Sequence, residues 1–401
     1  MAVDAAQPSL ADRLGGAHVG TRRDLEVSRH LFRDEVSYVL RDPMTDATQR
    51  LGAREYRIFC ALDAERPLAE HLTGCVERGL VSASGGEGFY RFVMRLHKLG
   101  FLKLPVQDEA GIYERHLARV EARKKALLMS VFSARIPLFN PDRFLDRTLP
   151  LARPFFGKPA LVLWTLLVAA AVRMGFVHRE AFAAPVVDIF SGPNLPLLWI
   201  SLVGLKVVHE FGHGYANKLF GGRVPQMGIM LIAGAPLAYM DATSSWSFAD
   251  KRKRIAVCLA GMYVEVALAA GAMLLWTVTP PGVLSAVLHN LVVLASVTTV
   301  LMNINPLMRY DGYYALCDAL ELPNLRGRST AHATAVLKRL FLGIPLPKTP
   351  GGLGLKAFYL LFGIASSLYK LTIVLSISAA IASKFLVVGV ALGAAYIANT
   401  L

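Results

Sequence analysis

The sequence predicts a mainly α-helical protein that crosses a membrane several times and carries a small α+β domain in front. Hydrophobic residues make up 54% of the 401 residues, and the mean hydropathy of +0.44 is high for a soluble protein of this size. The apolar residues are concentrated after Lys158, in stretches that approach the roughly 20 residues needed to cross a bilayer. We therefore expect a polytopic helical membrane domain over residues 159–401.

The first 26 residues contain no apolar run of the kind that a signal peptide requires, so we expect a flexible segment and a cytosolic N terminus. Residues 27–104 predict a winged-helix-like α+β domain. Apolar and polar residues alternate on either side of Asp42–Asp46 within Val27–Leu51, which predicts a β-hairpin. Three amphipathic helices and a short returning strand are predicted next, at Ala53–Leu62, Pro67–Glu77, Gly86–Leu99 and Gly100–Leu104.

This order of elements over residues 27–104 resembles the PqqD-like peptide-recognition domains of pathways that modify ribosomally made peptides. The resemblance implies that a leader peptide adds a strand to the hairpin edge and lies against the third helix. Two other interpretations stay open, a purely structural cap and a DNA-binding winged helix that uses Arg91, Arg95 and Lys98. Since no dense basic face with base-reading side chains is evident, we expect no nucleic acid partner.

Residues 105–158 predict a basic connector that lies along the cytoplasmic surface of the membrane. Val106–Lys125 has a charged helical pattern, whereas Ile136–Leu145 and Leu149–Pro154 are basic and broken by proline. In such a segment Phe and Leu side chains face lipid and Arg side chains face headgroups. The formal net charge of +14 fits cytosolic segments of this kind better than nucleic acid binding.

The region 159–401 predicts about six spanning helices and one re-entrant hairpin. The hairpin is expected at Val224–Met240, which is apolar but broken by proline and glycine, and such backbone persists at membrane depth only where protein or a cavity surrounds it. The predicted spans are Pro159–Val177, Leu195–Leu219, Ile255–Val278, Leu284–Leu307, Ala357–Ala382 and Phe385–Leu401.

Basic residues predict the orientation of these spans. Lys251–Arg254 precedes the third span and a basic region from Arg309 to Lys348 follows the fourth, whereas the turn Thr279–Gly282 carries no charge. Because loops retained in the cytosol are rich in Lys and Arg, we expect both basic regions on the cytosolic side of a bacterial-type plasma membrane.

The second span ends in an H-E-x-x-H motif, His209-Glu210-Phe211-Gly212-His213. On a helix, His209 and His213 share one face, so their imidazoles can hold one Zn²⁺ while Glu210 lies beside a water molecule. An ordinary ion pair between Lys206 and Glu210, four residues apart, is the alternative. A charged group in mid-membrane costs about 2.5–3.5 kcal/mol on insertion scales, which favours the metal site.

Asp311 follows the end of the fourth predicted span and should lie on the same side of the membrane as the motif. It is therefore a natural third ligand, which leaves one coordination position open for water. The alternative is an ordinary turn or helix cap at Asp311-Gly312.

Together the two stretches resemble the site-2 protease family of intramembrane zinc metalloproteases. The second family motif, N-x-x-P-x-x-x-L-D-G, matches Asn303, Pro306, Asp311 and Gly312, with Tyr310 where the family usually has leucine. Within this family the chain looks most like peptide zinc metalloproteases that carry a PqqD-like domain in front.

The resemblance implies one Zn²⁺ per chain on His209, His213 and Asp311, with Glu210 as the general base. It also implies that Asn303 helps to hold the substrate, with Asn305 as a substitute, although a buried amide that only caps the helix end stays open. Glu265 and His289, the other ionisable residues considered within the spans, are expected to pair with each other or with a backbone group and are left outside the site.

The implied function is a zinc endopeptidase that matures a ribosomally made peptide by leader removal, or releases it. Two alternatives stay open, cleavage of a membrane-anchored regulatory protein and a non-catalytic export component that binds peptide. The expected partners are a peptide or membrane-protein substrate, the lipid bilayer and a separate export adaptor or transporter. The cysteines Cys60, Cys75, Cys258 and Cys317 show no C-x-x-C spacing and predict free thiols.

Overall fold

The structure is a computed structural model that describes residues 10–32, 35–43, 48–82, 84–103, 135–232, 235–346 and 351–382. Internal packing divides the chain into two units, Met1–Ala152 with Asn217–Asp250, and Arg153–Ala216 with Lys251–Leu401. The first unit contains a small α+β region and a second sheet, and the second unit contains the long apolar helices.

A three-stranded antiparallel sheet and four helices form the N-terminal α+β region. Strands β2 (Glu26–Phe32), β3 (Glu35–Arg41) and β4 (Thr48–Gly52) lie in that order, and β1 (Gly20–Thr21) pairs with β5 (Leu102–Lys103). The helices are α1 (Leu10–Leu14), α2 (Ala53–Cys60), α3 (Leu68–Glu77) and α4 (Gly86–Lys98). Leu40, Leu51, Leu96 and Phe101 are fully buried in the core between these elements.

The three predicted helices and the returning strand of this region are confirmed, and the hairpin predicted around Asp42–Asp46 is confirmed as β3 and β4. The additional strand β2 was not predicted. Strands β2 and β3 pair from Glu26 opposite Arg41 to Phe32 opposite Glu35, so the chain reverses once between Phe32 and Glu35 and again before β4. The charged run Arg33-Asp34-Glu35 interrupts the alternation at the first reversal and is the local signal that could have revealed it.

The flexible segment predicted over residues 1–26 is wrong for its described part, residues 10–26, which contains α1 and β1. Val19 is buried in the core, and the carbonyl oxygen of Ala17 accepts a hydrogen bond of 2.9 Å from the backbone N–H of Leu68. Contacts with residues far along the chain, rather than a local pattern, order this segment.

A second antiparallel sheet contains β6 (Arg135–Phe139), β7 (Met227–Ile232) and β8 (Ala235–Met240), in that order. The hairpin predicted at Val224–Met240 therefore exists as β7 and β8, which pair from Met227 opposite Met240 to Ile232 opposite Ala235. The sequence does not reveal β6, because Pro137 cannot donate a ladder hydrogen bond and lies where the register with β7 shifts.

The connector predicted over residues 105–158 is thus corrected in its described part. Ile136–Phe139 belongs to an edge strand rather than to an irregular segment, and α5 (Asp142–Ala152) follows it. Oδ1 of Asp142 accepts hydrogen bonds of 2.8 Å from the N–H of Val224 and 2.9 Å from the Lys218 ammonium. The charged helix predicted at Val106–Lys125 lies outside the described residues.

Within the part of the chain that the structure describes, four helices are long and apolar enough to cross a bilayer. They are α6 (Lys158–Val177), α8 (Leu195–Leu219), α9 (Lys251–Trp276) and α13 (Leu353–Ala382), the last with its candidate span at Leu353–Ser376. Between them lie short 3₁₀ turns and the helices α7 (Arg179–Ala183), α10 (Val283–Ala295), α11 (Asp311–Ala319) and α12 (Leu325–Leu342). Large apolar side chains on α6, such as Leu163, which is 68% exposed, fit contact with lipid.

Four of the six predicted spans therefore coincide with long apolar helices. The span predicted at Leu284–Leu307 is a shorter α-helix, α10, that continues as the π-helical segment Ser296–Asn303. The span predicted at Phe385–Leu401 lies outside the described residues. The four cysteines are free thiols, as predicted.

Leu96 provides a test of the N-terminal core. Replacement of this fully buried side chain in Leu96→Ala should lower the free energy of unfolding of the region by about 2–5 kcal/mol, because the change removes apolar contacts and leaves a cavity. Pulse proteolysis of the full chain in a urea series measures this. Val27→Ala, at a side chain that is 45% exposed, is the matched control. Equal midpoints for the two variants would contradict the described core.

Candidate metal centre

The two histidines of the H-E-x-x-H motif lie on one face of α8 and are almost completely buried, with 4% and 9% of His209 and His213 exposed. Helix α9 packs closely against this face. A Cβ atom at Gly212 would lie 2.7 Å from the carbonyl oxygen of Ala260, so glycine permits the close approach of the two helices. The imidazoles consequently lie in the contact between α8 and α9.

Each of these imidazoles has its Nδ1 atom next to a hydrogen-bond acceptor on α9. Nδ1 of His209 lies 2.6 Å from Oε2 of Glu265, and Nδ1 of His213 lies 2.7 Å from the carbonyl oxygen of Val257. A carbonyl oxygen only accepts and an ionised carboxylate only accepts, so both Nδ1 atoms carry the proton. In the neutral imidazoles, both Nε2 atoms therefore present a lone pair.

Asp311 completes a cluster with these two Nε2 atoms. Its Oδ2 lies 3.1 Å from Nε2 of His209 and 3.5 Å from Nε2 of His213, and the two Nε2 atoms are 3.1 Å apart. Three atoms with lone pairs thus converge on one point. Because lone pairs at this distance repel one another, the arrangement is stable only when a cation lies between them. Within the described residues, these three side chains form a group that could hold a metal ion.

Ion pairs between α9 and the region of α11 hold Asp311 in place. Nε of Arg254, a residue that is 4% exposed, lies 2.7 Å from Oδ1 of Asp318, and the Lys251 ammonium lies 2.9 Å from Oε1 of Glu321. Burial raises the pKa of the Asp311 carboxyl, but the protonated, positively charged forms of His213 and His209 lower the pKa by more. The net downward shift keeps the carboxyl in the ionised form that binds cations.

The other sequence-predicted residues have different positions. Glu210 is half-buried on α8 and lies near enough to His213 to interact with it electrostatically. Asn303 is half-buried at the end of the π-helical segment. Oδ1 of Asn305 accepts a hydrogen bond of 2.9 Å from the N–H of Leu307. Asn305 therefore caps a turn, in line with the alternative that such an amide has a capping role.

Glu265, which the sequence analysis leaves outside the site, bonds to a side chain of the centre. Besides His209, its carboxylate contacts the Lys206 ammonium at 3.2 Å from both oxygens and accepts a hydrogen bond of 2.5 Å from Oγ1 of Thr298. His289 pairs with a backbone group, one of its two expected partners, since its Nε2 lies 2.9 Å from the carbonyl oxygen of Phe182. The signal that could have found Glu265 is an acidic side chain inside an otherwise apolar span.

Comparison with known proteins gives little information about this centre. No family model matches the chain, and no solved structure matches it. An uncharacterized protein of Methanocaldococcus jannaschii is 38% identical over 90 residues, which are 22% of this chain and 24% of that protein. The chain thus matches about a quarter of the length of this curated relative.

Gly261 provides a test of the centre. A Cβ atom there would lie 2.5 Å from Nε2 of His213 and 2.6 Å from Nε2 of His209, so Gly261→Ala should displace both imidazoles and abolish metal retention. Metal content per purified chain, from atomic emission, measures this. Gly271→Ala on the same helix is the matched control, because a Cβ there meets nothing within 4 Å. Equal metal content in both variants would contradict the described geometry.

Proposed function

We propose that this protein is an intramembrane zinc endopeptidase that hydrolyses a peptide bond with a zinc-activated water molecule. The observation that carries the proposal is the convergence of Nε2 of His209, Nε2 of His213 and Oδ2 of Asp311 at 3.1–3.5 Å from one another. Two imidazoles and one carboxylate with an open fourth position are the ligand set of catalytic zinc sites.

The spacing of the three atoms fits zinc. Bonds of about 2.0–2.1 Å in a tetrahedral arrangement place neighbouring ligand atoms about 3.3–3.4 Å apart, and the three distances in this centre lie on both sides of that value. Charge also supports a divalent ion. The carboxylates of Glu210, Glu265 and Asp311 and the one ammonium group of Lys206 leave two net negative charges in and beside the centre.

The side chains of the centre have distinct roles in this proposal. A zinc ion in the site supplies a Lewis acid and lowers the pKa of a water molecule toward about 7. Glu210 accepts the proton from the attacking water and returns it to the leaving amine. Burial of His209 and His213 and the closely packed face of α9 exclude bulk water on that side, which strengthens the interaction of these charges.

The same proposal includes the number of membrane crossings and their orientation. We assign six crossings, namely the four long helices, α10 with the π-helical segment Ser296–Asn303, and residues 385–401, with the hairpin of β7 and β8 as a re-entrant element. The basic regions beside α9 and after Arg309 support a position of the centre near the cytosolic face of a bacterial-type plasma membrane. The substrate is then a peptide that arrives from the cytosol and is recognised by residues 27–104, and a separate transporter exports the product.

Asp311→Ala tests the metal centre. Purified wild-type protein should contain about one zinc per chain, and Asp311→Ala should retain little, because the loss of one of three ligands removes the charged donor. Atomic emission after exchange against a zinc buffer measures both. Asp241→Ala, which removes a carboxylate that caps a turn at Thr243, is the control and should keep its zinc. Full zinc retention in Asp311→Ala would exclude Asp311 as a ligand.

Glu210→Gln tests the catalytic role. This variant should keep zinc and lose cleavage, because the amide cannot accept the proton of water. Since the substrate is unidentified, new protein N termini are compared by mass spectrometry in membranes that contain the wild-type or variant chain. N termini found only with the wild type are expected in small peptides. If they occur instead in membrane-anchored regulatory proteins, the substrate class is wrong, and identical sets in both samples would reject hydrolysis in favour of an export component.

A further inference from the structure

Glu265 is a completely buried carboxylate in an apolar helix, α9, and it bonds to a side chain of the metal centre. We infer that Glu265 is a positioning residue that fixes the orientation of His209 and raises the affinity of the centre for its metal ion. The inference rests on the proposed metal centre and adds to it a residue outside both sequence motifs.

Three contacts fix the carboxylate of Glu265 in one orientation. Oε1 accepts the hydrogen bond from Thr298 at 2.5 Å, Oε2 accepts the proton on Nδ1 of His209 at 2.6 Å, and the Lys206 ammonium lies 3.2 Å from both oxygens. The ammonium compensates the carboxylate charge, which would otherwise be costly within a span. The imidazole of His209 is therefore held by a rigid acceptor, with Nε2 directed at Asp311.

Glu265 also connects the two parts of the chain that supply ligands. His209 and Lys206 belong to α8, whereas Thr298 belongs to the π-helical segment Ser296–Asn303 that leads toward Asp311. π-Helical turns are rare in proteins, and those that occur are frequently found at functional sites. A carboxylate on α9 thus sets the position of α8 relative to the segment that precedes the third ligand.

A structural role for the Lys206–Glu265 ion pair, as a contact between two membrane helices, is the alternative. The two roles differ in what they change. An acceptor on the distal nitrogen of a ligating histidine typically changes metal affinity by 10–100-fold, because it fixes the ring and increases the electron density on the ligating nitrogen. A contact that only joins helices changes the stability of the fold and leaves the affinity of the folded protein unaltered.

The test uses the full-length chain in detergent and measures zinc affinity by competition with a chromophoric chelator, together with the melting temperature of the metal-free protein. Glu265→Gln keeps an oxygen that can accept from Nδ1 but loses the charge, so it should fold and bind zinc about 10–100-fold more weakly. Ser201→Ala is the matched control, because Ser201 is buried on α8 and its Oγ has no hydrogen-bond partner among the described residues. Its affinity should equal that of the wild type.

An affinity of folded Glu265→Gln within twofold of the wild type would overturn the inference. If Glu265→Gln does not fold, Lys206→Met takes its place, because it removes the charge that orients Glu265. A folded Lys206→Met with unchanged affinity would overturn the inference, and one with weakened affinity supports it. If Glu265→Gln binds zinc more weakly but the wild-type chain cleaves no peptide, the proposed protease activity is rejected, whereas the role of Glu265 in metal binding is supported. A wild-type chain that takes up no divalent ion would reject both.

Discussion

The convergence of three electron pairs inside an apolar helix bundle is the constraint on which the rest of the membrane unit depends. Nε2 of His209, Nε2 of His213 and Oδ2 of Asp311 lie within 3.5 Å of one another in a region with little access to water. Such an arrangement is unfavourable unless a cation is shared. The close contact of α8 with α9 and the ion pairs between α9 and the region of α11 hold these donors together.

Helix α9 supplies none of the three side chains of the cluster, yet it determines the positions of His209, His213 and Asp311. It provides Glu265 and the carbonyl oxygen of Val257, which select the protonated nitrogen of each imidazole. It also provides Gly261, which leaves space for both Nε2 atoms, and Arg254, which anchors α11. A helix that appears in sequence as an ordinary span is therefore the element against which the centre is assembled.

Much of this arrangement could be predicted from local patterns, and the part that could not depends on long-range contacts. The spacing of His209 and His213 fixes a shared helical face, and an acidic residue at the end of another apolar stretch identifies Asp311, so the cluster needs no tertiary information. The role of Glu265 and the strand β6 do need it, because an isolated carboxylate and a proline-containing segment have several plausible partners. The order of residues 10–26 was missed for the same reason, since Val19 is buried by elements that follow it in the chain.

The ligands of the centre come from segments that are separated by 102 positions in the chain. The ribosome therefore completes α8 long before Asp311 emerges, and a nascent chain carries two of the ligands without the third. The cluster cannot assemble until α9 and α11 have been synthesised and packed against α8. The cluster of His209, His213 and Asp311 is therefore incomplete during much of the synthesis of the chain, and chain order alone sets when it can bind a cation.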